Sequence, residues 1–204
     1  MGAHGFGDKV LPYEEASRSP LIIHDPRRPA ASRGRTSAAL TGQVDIAATI
    51  HAFAGVPAPA DIDGRNLLPL LDDPAGHVRD AMPLFNYWGV SSAQSLAIVA
   101  PGWKYIFWAH GADGLRPTEE LFDLTNDPYE MVNVSSDPRH AAVLADLRRR
   151  YDAELAAIAA TRIDGHGYEK YPVLFSRTIP WSEKPAPAKA PAAKGKRKAG
   201  GGEN

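Results

Sequence analysis

The chain has 204 residues, and 44% of them are hydrophobic, which suffices for the core of one domain with a small appendage and excludes a wholly disordered protein. The formal net charge of -1 argues against nucleic acid or an anionic membrane as the main partner. The absence of cysteine excludes disulfides, thiolate metal sites and cysteine nucleophiles.

No targeting signal is visible in this sequence. Residues 1–20 lack a basic start followed by an apolar core, and no run approaches the roughly 18 apolar residues that a membrane span needs. We therefore expect no membrane association and, as the sequence stands, a cytoplasmic chain. The compartment stays open, because a signal peptide on a longer polypeptide would precede Met1.

The first part of the chain predicts an α/β arrangement. The apolar run at residues 20–26, bracketed by prolines, predicts a short strand that is buried on both faces. Thr41 can cap a helix that Gly55 ends. That helix would pack by an apolar stripe at i, i+4 and i+7, formed by Ile46, Ile50 and Phe53. The apolar run at residues 66–71 must also be buried.

Near residue 80 the hydrophobic period changes to two. Residues 96–100 and 103–108, joined by a turn at Pro101-Gly102, predict a β-hairpin, and residues 119–124 predict a further strand. Asp137 as N-cap and Pro138 at the first helical position then open a long helix. Its apolar residues lie three and four positions apart, at Leu144, Leu147, Tyr151, Leu155 and Ile158. We expect this helix to lie across the hairpin sheet.

These patterns divide the chain into four segments. Residues 1–80 form an α/β portion, and residues 81–162 form a small α+β unit with the antiparallel sheet and the long helix. Residues 163–182 are expected to form an irregular aromatic strap. Residues 183–204 are basic and rich in Pro, Ala, Lys and Gly, so we expect a disordered tail that cannot offset its ordering entropy by burial.

Several short groups of residues follow one another in order along the chain. They are His4-Gly5 with Lys9 and residues 13–22; residues 44–57; residues 64–71; Trp103-Lys104-Tyr105-Ile106; and residues 120–124 with Asp127-Pro128-Tyr129-Glu130 and Asn133. Together they resemble the C-terminal portion of an arylsulfatase-like sulfatase of the alkaline phosphatase superfamily, over about residues 2–160. Each group alone is a weak signal, whereas five groups in register form a strong one.

The resemblance implies an α/β fold that is the truncated C-terminal part of an alkaline phosphatase-like sulfatase. Residues 1–80 would be the remnant of its catalytic domain, which has a mixed sheet flanked by helices. Residues 81–162 would be its C-terminal subdomain of four antiparallel strands and one long helix. That division matches the change of hydrophobic period near residue 80.

The resemblance also implies a chemistry, the hydrolysis of sulfate esters by a formylglycine hydrate beside a calcium ion. The formylglycine arises from a Cys/Ser-x-Pro-x-Arg motif, and acidic residues with an Asp-His or Asp-Asn pair hold the calcium. This chain has no cysteine, no Ser-x-Pro-x-Arg motif, and no Asp-Asp pair or Asp-His-Gly near its N-terminus. We therefore expect a fragment that is inactive alone and holds no metal or cofactor. Calcium, formylglycine and binding of the sulfate ester would require the full-length enzyme.

One catalytic residue of the family matches this sequence, and it is Lys9. By resemblance, its ammonium contacts the sulfate oxygens and the bridging ester oxygen. Charge builds on the leaving oxygen as the sulfur–oxygen bond breaks, and a fixed cation in a dry site stabilises it by a few kcal/mol. The alternative is a solvated surface lysine.

Two further residues are weaker candidates for substrate contact. His4 would touch the substrate or orient the glycine-rich loop, and the alternative is a hydrogen-bonded loop residue. Trp88, with the loop at residues 108–117, would form a wall that selects the substrate. No histidines occur at His-x-His or i,i+4 spacing, so we expect no metal ligands.

Other carboxylates have structural explanations. Adjacent side chains point in different directions, so Glu14 and Glu15 do not form an acid/base pair, and Glu14 is expected to cap a helix or to pair with Arg18. Asp45 lies in the first turn of a helix, where its charge is favourable to the helix dipole.

Two other functions remain open from the sequence. The chain could belong to a phosphonate monoester or phosphodiester hydrolase, which uses a similar lysine. It could also be a non-catalytic binding or assembly module, with the sheet and the long helix as its interface. The oligomeric state is not predicted.

Overall fold

The computed structural model describes His4 and residues 11–87, 93–109, 117–163, 165 and 169–185. The helices are α1 (Glu14–Ser17), α2 (Asp45–Ala54), α3 (Pro69–Asp72), α4 (Ala141–Thr161) and α5 (Tyr171–Leu174). The strands are β1 (Met82–Asn86), β2 (Ser95–Ala100), β3 (Trp103–Trp108) and β4 (Thr118–Asp123). Among the described helices, none combines the length and the apolar composition needed to cross a bilayer.

The four strands form one antiparallel sheet in the order β1-β2-β3-β4. The predicted hairpin is confirmed as β2 and β3, with Ala100 opposite Trp103 at the turn, and the predicted strand at residues 119–124 is confirmed as β4. The residue pattern did not predict β1, although the resemblance implied four strands. Pro83 lies within β1, and a strand at the edge of a sheet tolerates a proline because one of its sides needs no ladder hydrogen bonds.

The long helix α4 covers one face of the sheet, as predicted. Leu144, Leu147, Tyr151 and Leu155 are its buried residues. They pack on strand residues that alternate along the sheet, among them Leu96, Ile98, Tyr105, Phe107 and Leu121. The segment predicted as an irregular strap contains α5, and its residues Tyr171, Leu174 and Phe175 are buried in this same core.

Tyr151 is the central side chain of this core. Its ring meets the rings of Tyr105 and Phe107 edge to face, with centroids 5.5 and 5.8 Å apart. Its hydroxyl donates a hydrogen bond of 2.6 Å to the carbonyl oxygen of Phe175. The hydroxyl therefore joins α4 to the segment that follows α5.

Replacing Tyr151 with phenylalanine should lower the free energy of unfolding by about 1–2 kcal/mol, because the buried carbonyl of Phe175 loses its donor while the ring packing is kept. Urea unfolding measures the change. Tyr129→Phe is the matched control, since the Tyr129 side chain is largely exposed and should change stability by less than about 0.5 kcal/mol. Equal losses in both variants would contradict the role given to the hydroxyl.

The α/β portion departs from prediction in three ways. Residues 21–25 form no regular secondary structure, and Ile22 is 88% exposed, so the predicted strand is wrong for this structure. A strand needs a paired neighbour, and the described sheet offers none to this segment. The predicted helix is confirmed as α2, and Gly55 caps its end with a φ of 67°. The predicted cap at Thr41 is wrong, because α2 begins at Asp45 with no side-chain cap. Of its apolar stripe, only Phe53 is partly buried, beneath the Arg27 guanidinium. Ile46 and Ile50 are exposed, whereas Asp45, Ala48 and Thr49 are buried.

Polar contacts hold the start of α2. The fully buried carboxylate of Asp45 binds the Arg79 guanidinium at 2.5 and 2.7 Å, and accepts hydrogen bonds from the backbone N–H groups of Gly42 and Arg65 at 2.8 Å each. A side chain at Gly64 would clash with the backbone of Val44, so glycine there lets the Arg65 amide reach Asp45. Burial raises the pKa of Asp45, but these hydrogen bonds outweigh it and hold the pKa below its usual value.

Candidate functional site

The segment that follows Lys9 in the sequence packs on the second face of the sheet, opposite α4. Leu11 is buried there in a cluster with Ala93, Ala97, Ile106, Trp108 and Phe122. The Tyr13 hydroxyl and the Trp108 indole N–H donate to the same oxygen of Glu120, at 3.1 and 2.8 Å. Burial raises the pKa of Tyr13, and the Glu120 carboxylate raises it further, so this phenol stays protonated.

A buried lysine from the sheet holds this segment. Lys104 is the second residue of β3, contacts the N-terminal segment and is 0% exposed. Its ammonium donates to the Pro12 carbonyl oxygen at 2.8 Å and lies 2.8 Å from a carboxylate oxygen of Glu14 and of Glu130. The Ser17 hydroxyl oxygen lies 3.5 Å from the same ammonium. We call Lys104, Glu14 and Glu130 the lysine cluster.

Glu130 completes the lysine cluster from the turn that follows β4. Its second carboxylate oxygen accepts a hydrogen bond of 2.5 Å from the backbone N–H of Glu14. Burial raises the pKa of Glu130, and the neighbouring Lys104 ammonium partly offsets this. Its backbone has a φ of 56°, a left-handed conformation that few residues with a side chain adopt.

Glu14 and Glu15 are separated, as predicted. Glu14 reaches Arg18 at 3.9 Å, the pairing expected from the sequence, but its shorter contact is with Lys104. Glu15 is exposed. Neither contact suggests proton transfer to a substrate, so the structural assignment of both carboxylates stands.

His4 meets the same region from the other end of the glycine-rich loop. Its ring stacks on Tyr13 with centroids 3.9 Å apart and an interplanar angle of 4°. Its Nε2 lies 3.1 Å from the carbonyl oxygen of Tyr129, and because a carbonyl only accepts, Nε2 carries the proton. These contacts show a stacked and hydrogen-bonded residue, and the contact of His4 with substrate or its orienting of the glycine-rich segment stays a prediction.

Two predicted site residues, Lys9 and Trp88, lie outside the described residues, as does most of the loop at residues 108–117. Their roles stay predictions. The structure therefore brings His4 together with Tyr13, Tyr129 and the lysine cluster. His4 and Tyr13 lie on either side of Lys9 in the sequence. Sequence reasoning missed the role of Lys104, although a lysine between aromatic residues in a central strand was a usable signal, because such a charge needs buried partners.

Among the described residues, none form the calcium site that the resemblance implies for the full-length enzyme. Within the described ranges, no three His, Asp or Glu side chains converge as metal ligands. The sequence has no cysteine that could become formylglycine.

Comparison with known proteins assigns the family. A family model described as N-sulphoglucosamine sulphohydrolase, C-terminal, matches residues 2–156. The N-acetylglucosamine-6-O-sulfatase of Bacteroides thetaiotaomicron is 33% identical over 147 residues, which are 69% of this chain and 25% of that protein. Human arylsulfatase K is 31% identical over 134 residues, which are 62% of this chain and 24% of that protein.

A solved structure of a protein in complex with its substrate, D-glucosamine-2-N,6-O-disulfate, is 26% identical with a TM-score of 0.48, and the match covers 60% of this chain and 25% of that one. The chain thus spans about a quarter of the length of the relatives it matches. The family match confirms the resemblance of the sequence to the C-terminal portion of a sulfatase. The chain therefore belongs to the N-sulphoglucosamine sulphohydrolase C-terminal family and is a C-terminal portion of a sulfatase.

Proposed function

We propose that this chain serves in the hydrolysis of sulfate esters and that its direct contribution to catalysis is Lys9. The ammonium of Lys9 stabilises the charge that develops on the sulfate and on the leaving oxygen. The formylglycine nucleophile and the calcium ion would belong to the rest of the enzyme. On its own the chain would bind no sulfate ester productively.

The observation that carries the proposal is the family match, which begins at residue 2 and so includes the glycine-rich loop with Lys9. The packing of the residues on either side of that loop supports it, because a catalytic ammonium must be held in place to act. Exposed apolar residues also support it. Ile22 and Ile50 would be buried against further protein, which favours association by about 25 cal/mol per Å² of apolar surface.

The substrate proposal is a sulfate ester of an amino sugar. It rests on the name of the Bacteroides relative, an N-acetylglucosamine-6-O-sulfatase. The names of the similar proteins favour sulfate esters over the phosphonate and phosphodiester alternatives. A non-catalytic module has no comparable support.

A tag after Asn204 allows the proposal to be tested on whatever polypeptide the native gene produces. The tagged protein is purified from its source, and sulfate release from N-acetylglucosamine 6-sulfate is measured by ion chromatography. A phosphonate monoester and a phosphodiester serve as comparison substrates. We expect sulfate release by the native polypeptide and none above background by the 204-residue chain.

Replacing Lys9 with methionine should lower kcat of the native polypeptide by about 10²–10³-fold, since that is the usual loss when a donor to the developing charge is removed. The matched control is Lys170→Met, which removes an exposed ammonium and should leave kcat unchanged. An unchanged kcat in Lys9→Met would overturn the role of Lys9. Faster turnover of the phosphonate, or full activity of the 204-residue chain alone, would overturn the proposed function.

A further inference from the structure

The described residues before and after Lys9 in the sequence make contacts that all lie in one place. His4, before the loop, stacks on Tyr13 and donates to the Tyr129 carbonyl. After the loop, the Pro12 carbonyl and Glu14 are bound by the lysine cluster. Tyr129 and Glu130 are adjacent in the turn after β4, so the same turn contacts His4 before Lys9 and Glu14 after it.

The lysine cluster is a costly way to hold two segments together. Removing an ammonium and two carboxylates from water is unfavourable, and apolar side chains of similar volume often stabilise a protein as well or better. What charged partners add is direction, because each N–H donates, and each oxygen accepts, only within a narrow range of distances and angles. The cluster is thus better suited to setting a position than to adding stability.

Backbone strain occurs at His4 and Glu130, two of the residues that make these contacts. Of the described residues other than glycine, His4 and Glu130 are the two with positive φ, at 57° and 56°. Such conformations persist where the surrounding contacts over-determine them, and they concentrate at functional sites. Here one strained residue stands before the loop, and the other binds the Glu14 backbone after it.

We propose that the lysine cluster is a positioning device that fixes residues 11–14 beside His4 and thereby sets where the ammonium of Lys9, two residues before that segment in the sequence, meets the substrate. Lys104 and Glu130 are positioning residues in this scheme, and neither touches the substrate. The inference rests on the proposed function for its catalytic part. The holding of the loop by the cluster does not depend on that function.

The test uses the pair of substitutions Lys104→Met with Glu130→Gln. Methionine keeps the volume of the lysine stem, and the glutamine oxygen still accepts from the Glu14 amide. Glu14 keeps Arg18 as a cationic neighbour. Removing one positive and one negative charge together avoids leaving a buried Glu130 carboxylate without a partner. Glu130→Gln alone is the second variant, should the pair fail to fold. The matched control is Arg177→Met, which removes ion pairs with Asp152 and Glu119 on the α4 side of the sheet.

A double-mutant cycle with Lys9→Met, run in the native polypeptide, separates positioning from general stability. We expect the pair to lower kcat by about 10²-fold with little change in KM, because a displacement of about 1 Å has that effect. Lys9→Met should then lower kcat by a much smaller factor in the variant that carries the pair than in the native polypeptide. If Lys9→Met lowers kcat by the same factor in both backgrounds, within about twofold, the positioning role is wrong. Arg177→Met should leave the cost of Lys9→Met unchanged.

Trypsin cleavage after Lys9, followed on the 204-residue chain by mass spectrometry, tests the holding of the loop without any activity. Cleavage should be faster in the pair than in the unaltered chain or in Arg177→Met. Equal rates would overturn the inference. If instead Lys9→Met leaves kcat unchanged in the native polypeptide while trypsin distinguishes the variants, the catalytic role of Lys9 fails and the loop anchor stands.

Discussion

Replacing Lys104 with methionine alone should lower the free energy of unfolding by about 3–5 kcal/mol, because it leaves buried carboxylates without their cation. The Glu130 carboxylate would account for most of this loss, since it is almost fully buried, whereas Glu14 is partly exposed. The loss should therefore exceed that from any exposed lysine. Chemical denaturation of the 204-residue chain measures it.

Adding Glu130→Gln to Lys104→Met should restore most of the lost free energy of unfolding, because the second substitution removes the unpaired charge. Recovery of this kind is the signature of coupled residues, and it appears as an interaction free energy in the cycle. Lys170→Met is the control for the lysine substitution itself. Losses that simply add would show that the two side chains do not interact in the folded protein.

Replacing Asp45 with alanine should also lower the free energy of unfolding by about 3–5 kcal/mol, because it leaves the largely buried Arg79 guanidinium unpaired. Two backbone N–H groups, those of Gly42 and Arg65, lose their acceptor in the same substitution. Asp45→Asn should cost less, since its amide oxygen still accepts one of these bonds. Asp80→Ala, at an exposed carboxylate, should change stability by less than about 0.5 kcal/mol.

The contribution of Asp45 should depend on pH. Its pKa in the folded protein is lowered, so its stabilising effect is fully present above the pKa of the unfolded chain and is lost as the pH falls through the folded pKa. The stability difference between the unaltered protein and Asp45→Ala should therefore narrow on acidification. A difference that is constant from neutral to strongly acidic pH would contradict the assignment.

The sequence pattern predicted the hairpin and the long helix, because each of these elements is determined by residues close together in the sequence. Pro101-Gly102 between two alternating runs was enough to place the hairpin, and the spacing of Leu144, Leu147, Tyr151 and Leu155 was enough to place α4 and its buried face. In both cases the residues that form the element also form its contact. The resemblance supplied the fourth strand, which Pro83 had concealed from the residue pattern.

Predictions failed where the partner of an element decides its burial. Residues 20–26 have the composition of a buried strand, yet Ile22 is exposed because no described strand pairs with it. The stripe of Ile46 and Ile50 was a sound helix signal, but the contacts of α2 are made by its other face. A one-dimensional pattern shows that a face is apolar and does not show what covers it.

The candidate site was only partly predictable for the same reason. Lys9 was found by resemblance, not by any physical pattern around it. Lys104 meets partners that lie 92 and 26 residues away in sequence, Pro12 and Glu130, and alternation along β3 gives no hint of them. The pairing of Glu14 with Arg18 was predicted because it is local, and the stronger contact with Lys104 was missed because it is not.

The polar packing of α2 has a consequence for how the molecule opens. The sheet and α4 share a continuous apolar core, whereas the start of α2 is held by the hydrogen bonds of Asp45 and Thr49. Regions with few buried apolar contacts open at a lower free energy than the core and do so as separate cooperative units. The α2 region is therefore the part whose amides exchange with solvent through local opening, while those of β2 and β3 exchange only when the whole sheet unfolds.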